Sequence, residues 1–454
     1  MSAVTSYLNR SFTIHAALAW LWQVLVLLVL GAHFYRADMY GLVLCVAGVL
    51  VFSCSTSRWK QYAVAFFLLW GMLEWGHSAY ILARMRLDMG LPWMRAAAIL
   101  LVVALLTGLS AQWAFARLRA SSADNAAEGR ARFQALVFMA SFLALFFLRL
   151  ASPMQFLLLE RYIPQFGGVQ IFFAAWYAAF VAGLLADPKH SRKFRRRIWL
   201  VFGLIFFAQF FLGLLGLDKM LLTGKLHVPV PAFIIFAPLF RESFSMMPII
   251  VLVATVLAGS AWCSHLCYFG PFDGILSGNK AVAAPGPALS AALKYGRMGM
   301  LVAGALGAYA LGRLGLDMRA IVSIAIVYAF VSLAIMAWFS RKQHAMVHCT
   351  TFCPMGLLVN WLGRLNPWRI RVDTQRCNAC GACEKVCRYY AITPESRAQG
   401  KTLSRCSLCR DCLGVCGQKA LFLRCPGLSA SHSHALFVGI VSVLHGIFLN
   451  VAMV

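Results

Sequence analysis

Apolar and polar positions alternate along this chain on a long period. Apolar runs near 13–34, 38–55, 61–83, 95–117, 133–152, 169–187, 198–219, 246–262, 298–317, 320–340 and 434–453 are separated by short polar connections. A helix of roughly 20 apolar residues crosses the hydrocarbon core of a bilayer, so the pattern predicts a mainly α, polytopic membrane protein with about eleven spans. One apolar stretch does not fit. Leu221 to Met247 is broken by Pro229, Pro231 and Pro238, with Pro248 just beyond, which predicts an outer-face loop or a re-entrant segment packed against protein. Ser277 to Leu293, rich in Gly, Ala, Pro and Ser, reads as a cytoplasmic linker. A small inserted domain, expected to be α+β, occupies the polar stretch before the last span. The expected division is a six-span region 1–197, a four-span core 198–365, an inserted domain 366–426 and a terminal span 427–454.

Composition agrees with the pattern. The 454 residues are 61% hydrophobic and 12% charged, with a mean hydropathy of +0.75, which excludes an ordinary soluble globular protein. The net charge of +26 would suit nucleic acid or the anionic inner face of a bilayer. The basic residues gather between spans, as in Lys189-His190-Ser191-Arg192-Lys193-Phe194-Arg195-Arg196-Arg197 and around Arg117, Arg119, Arg130 and Arg132, so the bilayer explains them and no nucleic-acid partner is expected. With those loops inside, the N-terminus and the 366–426 domain face the cytoplasm of a bacterial inner membrane, and the C-terminus lies outside. Arg84, Arg86 and Arg95, in a predicted outer loop, run against this count. No cleavable leader is expected, because the first apolar stretch is of spanning length and lacks a small-residue cleavage site.

The chemistry is carried by cysteine. Cys377, Cys380, Cys383 and Cys387 form one C-x2-C-x2-C-x3-C run, and Cys406, Cys409, Cys412 and Cys416 form a second. Three thiolates at intervals of three wrap three corners of an iron-sulfur cube, and in two-cluster ferredoxins the fourth cysteine of each run serves the other cluster. The expected quartets are Cys377, Cys380, Cys383 and Cys416 for one [4Fe-4S] cluster, and Cys406, Cys409, Cys412 and Cys387 for a second. Structural zinc sites pair two short C-x2-4-C elements and leave a third cysteine in each triplet unused. Arg388 and Gly417 follow the fourth cysteines, where such runs usually carry proline.

Two further pairs stand at the ends of predicted hairpins: Cys263 and Cys267 in C-S-H-L-C, and Cys349 and Cys353 in C-T-T-F-C-P. If the local backbone is helical, each pair shares a face. Four thiols from two matched hairpins would suit a tetrahedral iron site, a small cluster or zinc. A dithiol-disulfide couple and simple buried fillers are the other readings. Cys45, Cys54 and Cys425 have no ligand-like spacing.

Four spans, C-x3-C after the second, C-x3-C-P after the fourth, then the double ferredoxin run: this order resembles the membrane-bound polyferredoxin-type family that includes the NapH and NosR proteins. The resemblance covers about Ile198 to Pro426. Tyr268 stands where the family's first motif has proline, no outer flavin-carrying domain of the NosR sort precedes the spans, and six additional spans precede the core. The resemblance implies electron transfer between the quinone pool, or another membrane carrier, and a respiratory or cofactor-maturing protein partner, with a quinol-oxidising role possible for such a component.

Ionisable residues inside spans are costly and mark candidate sites. Glu74 and His77, one turn apart, are candidates for quinol or proton work, as are His227 and Glu242 in the proline-broken segment. His33 with His77 would be the axial pair for a haem, but a haem is not expected without a clearer pair deep in facing spans. His344 and His348, four apart just before Cys349, could share a helix face with it, but contact with lipid phosphates is the expected role, while His432, His434 and His445 offer no partner by spacing. Two other functions remain open. One is an assembly factor that supplies electrons or metal without turnover of its own; the other is a transporter with sensory clusters, for which no inverted repeat stands out.

Overall fold

A computed structural model describes residues 2–120, 124–152, 155–221, 230–243 and 246–450. His227 and Pro229 lie outside the described residues. The chain forms two compact units, Met1–Phe180 and Val181–Val454. All eleven predicted apolar stretches are mainly helical over their described residues. Among the described residues, eight helices are long and apolar enough to cross a membrane: Ala17–Arg36, Met94–Arg119, Asn125–Ala151, Gly167–Leu185, Pro188–Leu214, Met247–Leu266, Arg319–Gln343 and Ala430–Asn450.

The other three differ for physical reasons. Tyr40–Ser53 has 14 residues, about 21 Å at 1.5 Å per residue, short of a core about 30 Å thick. Arg297–Arg313 continues a helical run that starts at Pro287 and passes through a π-turn at Ala292–Gly296, so its length suffices, and Lys294, Arg297 and its glycines dilute its apolar character. Arg58–Asp88 has the length, with 31 residues, but Glu74, His77, Arg84 and Arg86 dilute its apolar character.

In the first unit, Asp124 caps the Asn125–Ala151 helix by accepting hydrogen bonds from the N–H groups of Ala126 and Ala127. Buried Glu128 accepts a 2.6 Å hydrogen bond from Tyr62 and is paired with Arg132. Charge is thus tied down where the helices leave the apolar layer.

In the second unit, two hairpins end in the same backbone form. A π-turn over Trp262–Leu266 closes with Cys267 N–H donating to the Trp262 carbonyl at 2.9 Å, and a π-turn over His348–Phe352 closes with Cys353 N–H donating to His348 at 3.0 Å. Both closing cysteines are extended, and a short helix with an early proline follows each: Pro271 in Gly270–Leu276 and Pro354 in Pro354–Leu362. The proline missing at Tyr268 is therefore displaced along the chain, and the turn it would have set is still made.

The expected small α+β domain consists of strands β1 (Arg369–Val372) and β2 (Leu421–Arg424), antiparallel with Arg369 opposite Arg424, and three one-turn helices, Ala382–Val386, Pro394–Ala398 and Asp411–Val415. Ile370, Val372, Leu421 and Leu423 turn inward, following the period of two along a strand. These residues share one hydrophobic core with Phe202, Phe206, Val251, Trp262 and Phe437 of the apolar helices.

Hydrogen bonds hold the same contact. Trp368 donates from Nε1 to the Leu257 carbonyl at 2.8 Å, and Ser260 and Ser264 donate to the carbonyls of Cys406 and Ser407 at 2.5 and 2.8 Å. Gly259 sits at φ +63, and a Cβ there would come within 3.0 Å of Asn366 Oδ1, so glycine meets both the turn and the close approach. The stretch read as a linker is also engaged: Val282 N–H donates to Lys385 O at 2.8 Å, and its second half is helical.

The basic run in the first turns of the Pro188–Leu214 helix is not wholly solvated. Arg195, only 4% exposed, is a bidentate partner of Asp411, with Nε and Nη2 donating at 3.1 and 2.7 Å, and its Nη1 donates to Ser264 O at 3.0 Å. Removing one member of a buried pair leaves the other charge unpaired, typically at a cost of about 3–5 kcal/mol. Asp411→Ala is expected to destabilise the detergent-solubilised protein by about that amount, read from its chemical or thermal unfolding midpoint; an unchanged midpoint would contradict the role given to this pair.

Candidate iron-sulfur sites

The two ferredoxin runs share one backbone plan. Left-handed residues Ala379, Gly381 and Tyr390 in the first half stand at the same offsets from Cys377 as Leu408, Arg410 and Lys419 stand from Cys406 in the second. In each run a short helix begins just after the second left-handed residue and carries the third cysteine. The fourth cysteines are alike too, since Cys387 Sγ accepts the Ala391 N–H at 3.2 Å and Cys416 Sγ accepts the Ala420 N–H at 3.3 Å.

Cys377, Cys380, Cys383 and Cys416 line one pocket together with Gly381, Gly417 and Arg397, and no carboxylate is in its wall. Cys380 is exposed. The other four gather deeper. Cys387 is within electrostatic reach of Cys406 and Cys409, and Cys412 within reach of all three. Burial, helped by the neighbouring sulfurs, pushes the Cys387 thiol up to about 12, and burial with Asp411 does the same to Cys409. Metal binding at these positions therefore releases protons.

The hairpin cysteines also come together. Cys263, Cys267, Cys349 and Cys353 line one cavity with Pro231, Arg297, Tyr389, Arg405 and Ser407. Backbone N–H groups of Phe269 and Gly270 reach Cys267, and those of Met355 and Gly356 reach Cys353. Burial pushes both thiols above their ordinary value, and these N–H groups at the starts of the following helices offset part of that. Asp273, fully buried, accepts the Cys349 N–H at 3.0 Å, and burial raises its carboxyl to about 6.

Among the described residues, no three Cys, His, Asp or Glu side chains gather tightly enough for a single ion. A mononuclear thiolate site needs sulfurs about 2.3 Å from one metal. Cysteines spread around a cavity with N–H donors aimed at their sulfurs fit a multi-atom iron-sulfur group better.

The remaining candidates are more scattered. Glu74 Oε1 meets His33 Nε2 at 3.8 Å, with Ser78 Oγ at 3.2 Å and the Trp75 ring at 4.4 Å from the imidazole, whereas His77 is exposed. Glu242 is an exposed left-handed helix cap that pairs with Arg313 at 3.5 Å. His344 and His348 do not share a helix face, because His344 is itself left-handed at φ +52 and ends the helix. His348 is buried against Phe269 and Phe352. Cys45 donates to the Gly168 carbonyl at 3.0 Å. Sequence reading missed Arg195 and Arg297, which reach the cysteine sets from distant parts of the chain, and Tyr389 and Arg410, which stand beside Cys387 and Cys409 within the runs; of these Arg410 left a signal, in the comparison of the two runs.

Comparison with known proteins places this geometry. Residues 242–283 and 322–372 match a family model described as a 4Fe-4S binding domain, and residues 370–393 match a second model of the same description. The chain carries two ferredoxin-type 4Fe-4S binding domains. The first match includes all four hairpin cysteines, and the second includes Cys377 to Cys387. An uncharacterized protein of Methanocaldococcus jannaschii is 28% identical over 78 residues, which is 17% of this chain and 30% of that protein. The chain therefore spans less than a third of the length of that curated relative. No solved structure matches.

If the hairpin cysteines hold iron, replacing Cys263 and Cys349 together by Ser should lower iron and acid-labile sulfide per chain while the double mutant of Cys45 and Cys54 to Ser keeps both at the wild-type level. Equal iron in the two double mutants would remove the hairpin site.

Proposed function

We propose that this chain is a membrane-bound iron-sulfur electron-transfer protein that passes electrons between the quinone pool, or another membrane carrier, and a respiratory or maturation partner. Cys377, Cys380, Cys383 and Cys416 would hold one [4Fe-4S] cluster; Cys406, Cys409, Cys412 and Cys387 a second; and Cys263, Cys267, Cys349 and Cys353 a further iron or iron-sulfur centre. Such groups supply one-electron transfer. The observation that carries this reading is a shared wall: Tyr389, Arg405 and Ser407, which flank the Cys387 and Cys406 positions, also line the cavity of the hairpin cysteines. The three cysteine sets then form a series from an exposed thiol to the ends of the apolar helices.

The chain's own residues set the conditions for transfer. Backbone N–H groups at Cys267, Cys353, Cys387 and Cys416 stabilise thiolate charge, and the packing of β1, β2 and the Ala430–Asn450 helix keeps water from the inner sets. Pro231 brings the proline-broken segment to the hairpin cavity, a place where a quinone head group would meet the innermost set. The cytoplasmic side of a bacterial inner membrane is the location that accords with the basic connections and with the resemblance to membrane polyferredoxins.

Purified protein in liposomes, mixed with a reduced quinone analogue, should lose visible iron-sulfur absorbance as its centres are reduced. Inertness of the iron-loaded protein until a partner is added would favour an assembly factor that acts only within a complex.

A further inference from the structure

Gly381 and Arg410 occupy equivalent places in the two ferredoxin runs, at φ +71 and +66. At Gly381 this conformation is free of strain, and an added Cβ would meet nothing within 4 Å. At Arg410 the same backbone carries a long cationic side chain that is 0% exposed. A glycine is the default residue for such a turn, so the arginine is held there by its surroundings.

Those surroundings leave its charge without a carboxylate. Nη1 of Arg410 donates to the Leu185 carbonyl at 3.4 Å and to His434 Nε2 at 3.2 Å, and the guanidinium lies 5.4 Å from the centre of the Phe437 ring. Nε and Nη2 are buried with no hydrogen-bond partner among the described residues. The adjacent Asp411 has both oxygens committed to Arg195. An arginine guanidinium stays charged at neutral pH. A buried, unpaired cation is costly unless an anion answers it. Cys409, the cysteine beside it in sequence, is a nearby group whose negative form favours it.

We propose that Arg410 is the counter-ion of the centre held by Cys387, Cys406, Cys409 and Cys412, and that it raises that centre's reduction potential above that of the centre held by Cys377, Cys380, Cys383 and Cys416. This rests on the reading of both quartets as cluster ligands. One-electron reduction adds one negative charge and makes or breaks no bond, so a fixed cation favours the reduced form. Burial alone acts in the opposite sense, since it disfavours the more highly charged state. A contact cation in a low-dielectric interior opposes that effect most strongly where water is excluded, which is where Arg410 lies. Arg388, 4% exposed, with Nη1 bound to the Ser277 and His344 carbonyls and with Nε and Nη2 unpartnered among the described residues, adds charge of the same sign beside Cys387. An electron entering at exposed Cys380 would then run inward, toward the hairpin cysteines.

The test is a redox titration of the full-length, iron-loaded protein followed by electron paramagnetic resonance, with iron and sulfide counted in every sample. In wild type the two centres of the ferredoxin runs should show distinct midpoints, apart from any signal of the hairpin centre. Arg410→Gln and Arg410→Gly, the latter restoring the residue of the equivalent turn, should each lower one midpoint by at least a tenfold shift of its equilibrium, about 59 mV for a one-electron couple, with the other unmoved. Arg410→Lys should recover most of the shift. If the neutral variants lose one centre's iron while Arg410→Lys keeps it, the counter-ion role is also supported. Unchanged midpoints in a neutral variant, or equal shifts or equal iron loss in Arg410→Lys, overturn it. Wild-type protein without iron or sulfide would instead defeat the cluster reading beneath it.

Discussion

Two charges removed from water, Arg195 near the start of an apolar helix and Asp411 at the start of the third short ferredoxin helix, meet in a bidentate pair. Neither is tolerable there alone, so the inserted domain must sit where the two coincide. That placement brings Ser264 under Ser407 and Ser260 under Cys406, and sets Tyr389 and Ser407 into the wall of the hairpin cavity. The arrangement of the cysteine sets within the second unit depends on this seating.

Two internal repeats then do the same work at different scales. In the ferredoxin domain, matched left-handed turns aim each triplet of cysteines at one space, and the fourth cysteine crosses to the other half. In the hairpins, matched π-turns place the closing cysteine at the start of a helix, where backbone N–H groups meet its sulfur. The halves are not equivalent in charge or exposure. Cys380 is open to solvent, whereas the Arg410 side of the domain is closed and cationic, an asymmetry that under the proposed reading would give electron transfer a direction.

Much of this was legible in the chain. Apolar runs mark helices because backbone polar groups in lipid must be satisfied within the segment, and all eleven runs are mainly helical over their described residues. Their length and dilution by charge were harder to judge, so three of the eleven fall short of a crossing by length and composition. The cysteine spacings were readable because a fixed interval along the chain becomes a fixed geometry around a ligand. The seating of Arg195 was not, since a basic run beside a span looks solvated until its carboxylate partner, remote in sequence, is brought to it. Glu74 meets His33 for the same reason: contacts between helices leave no spacing in the sequence. Arg410 lay between these cases, visible as the residue in the place of a glycine but without meaning until its burial was known.

The central claim is that the three cysteine sets form one continuous series. Relaxation measurements on the reduced protein by pulsed electron paramagnetic resonance test it most directly. Mutual magnetic coupling among the centres, partly relieved when Cys349 and Cys353 are both replaced by Ala, is the result this account predicts. Magnetically isolated centres, with relaxation indifferent to those replacements, would contradict it.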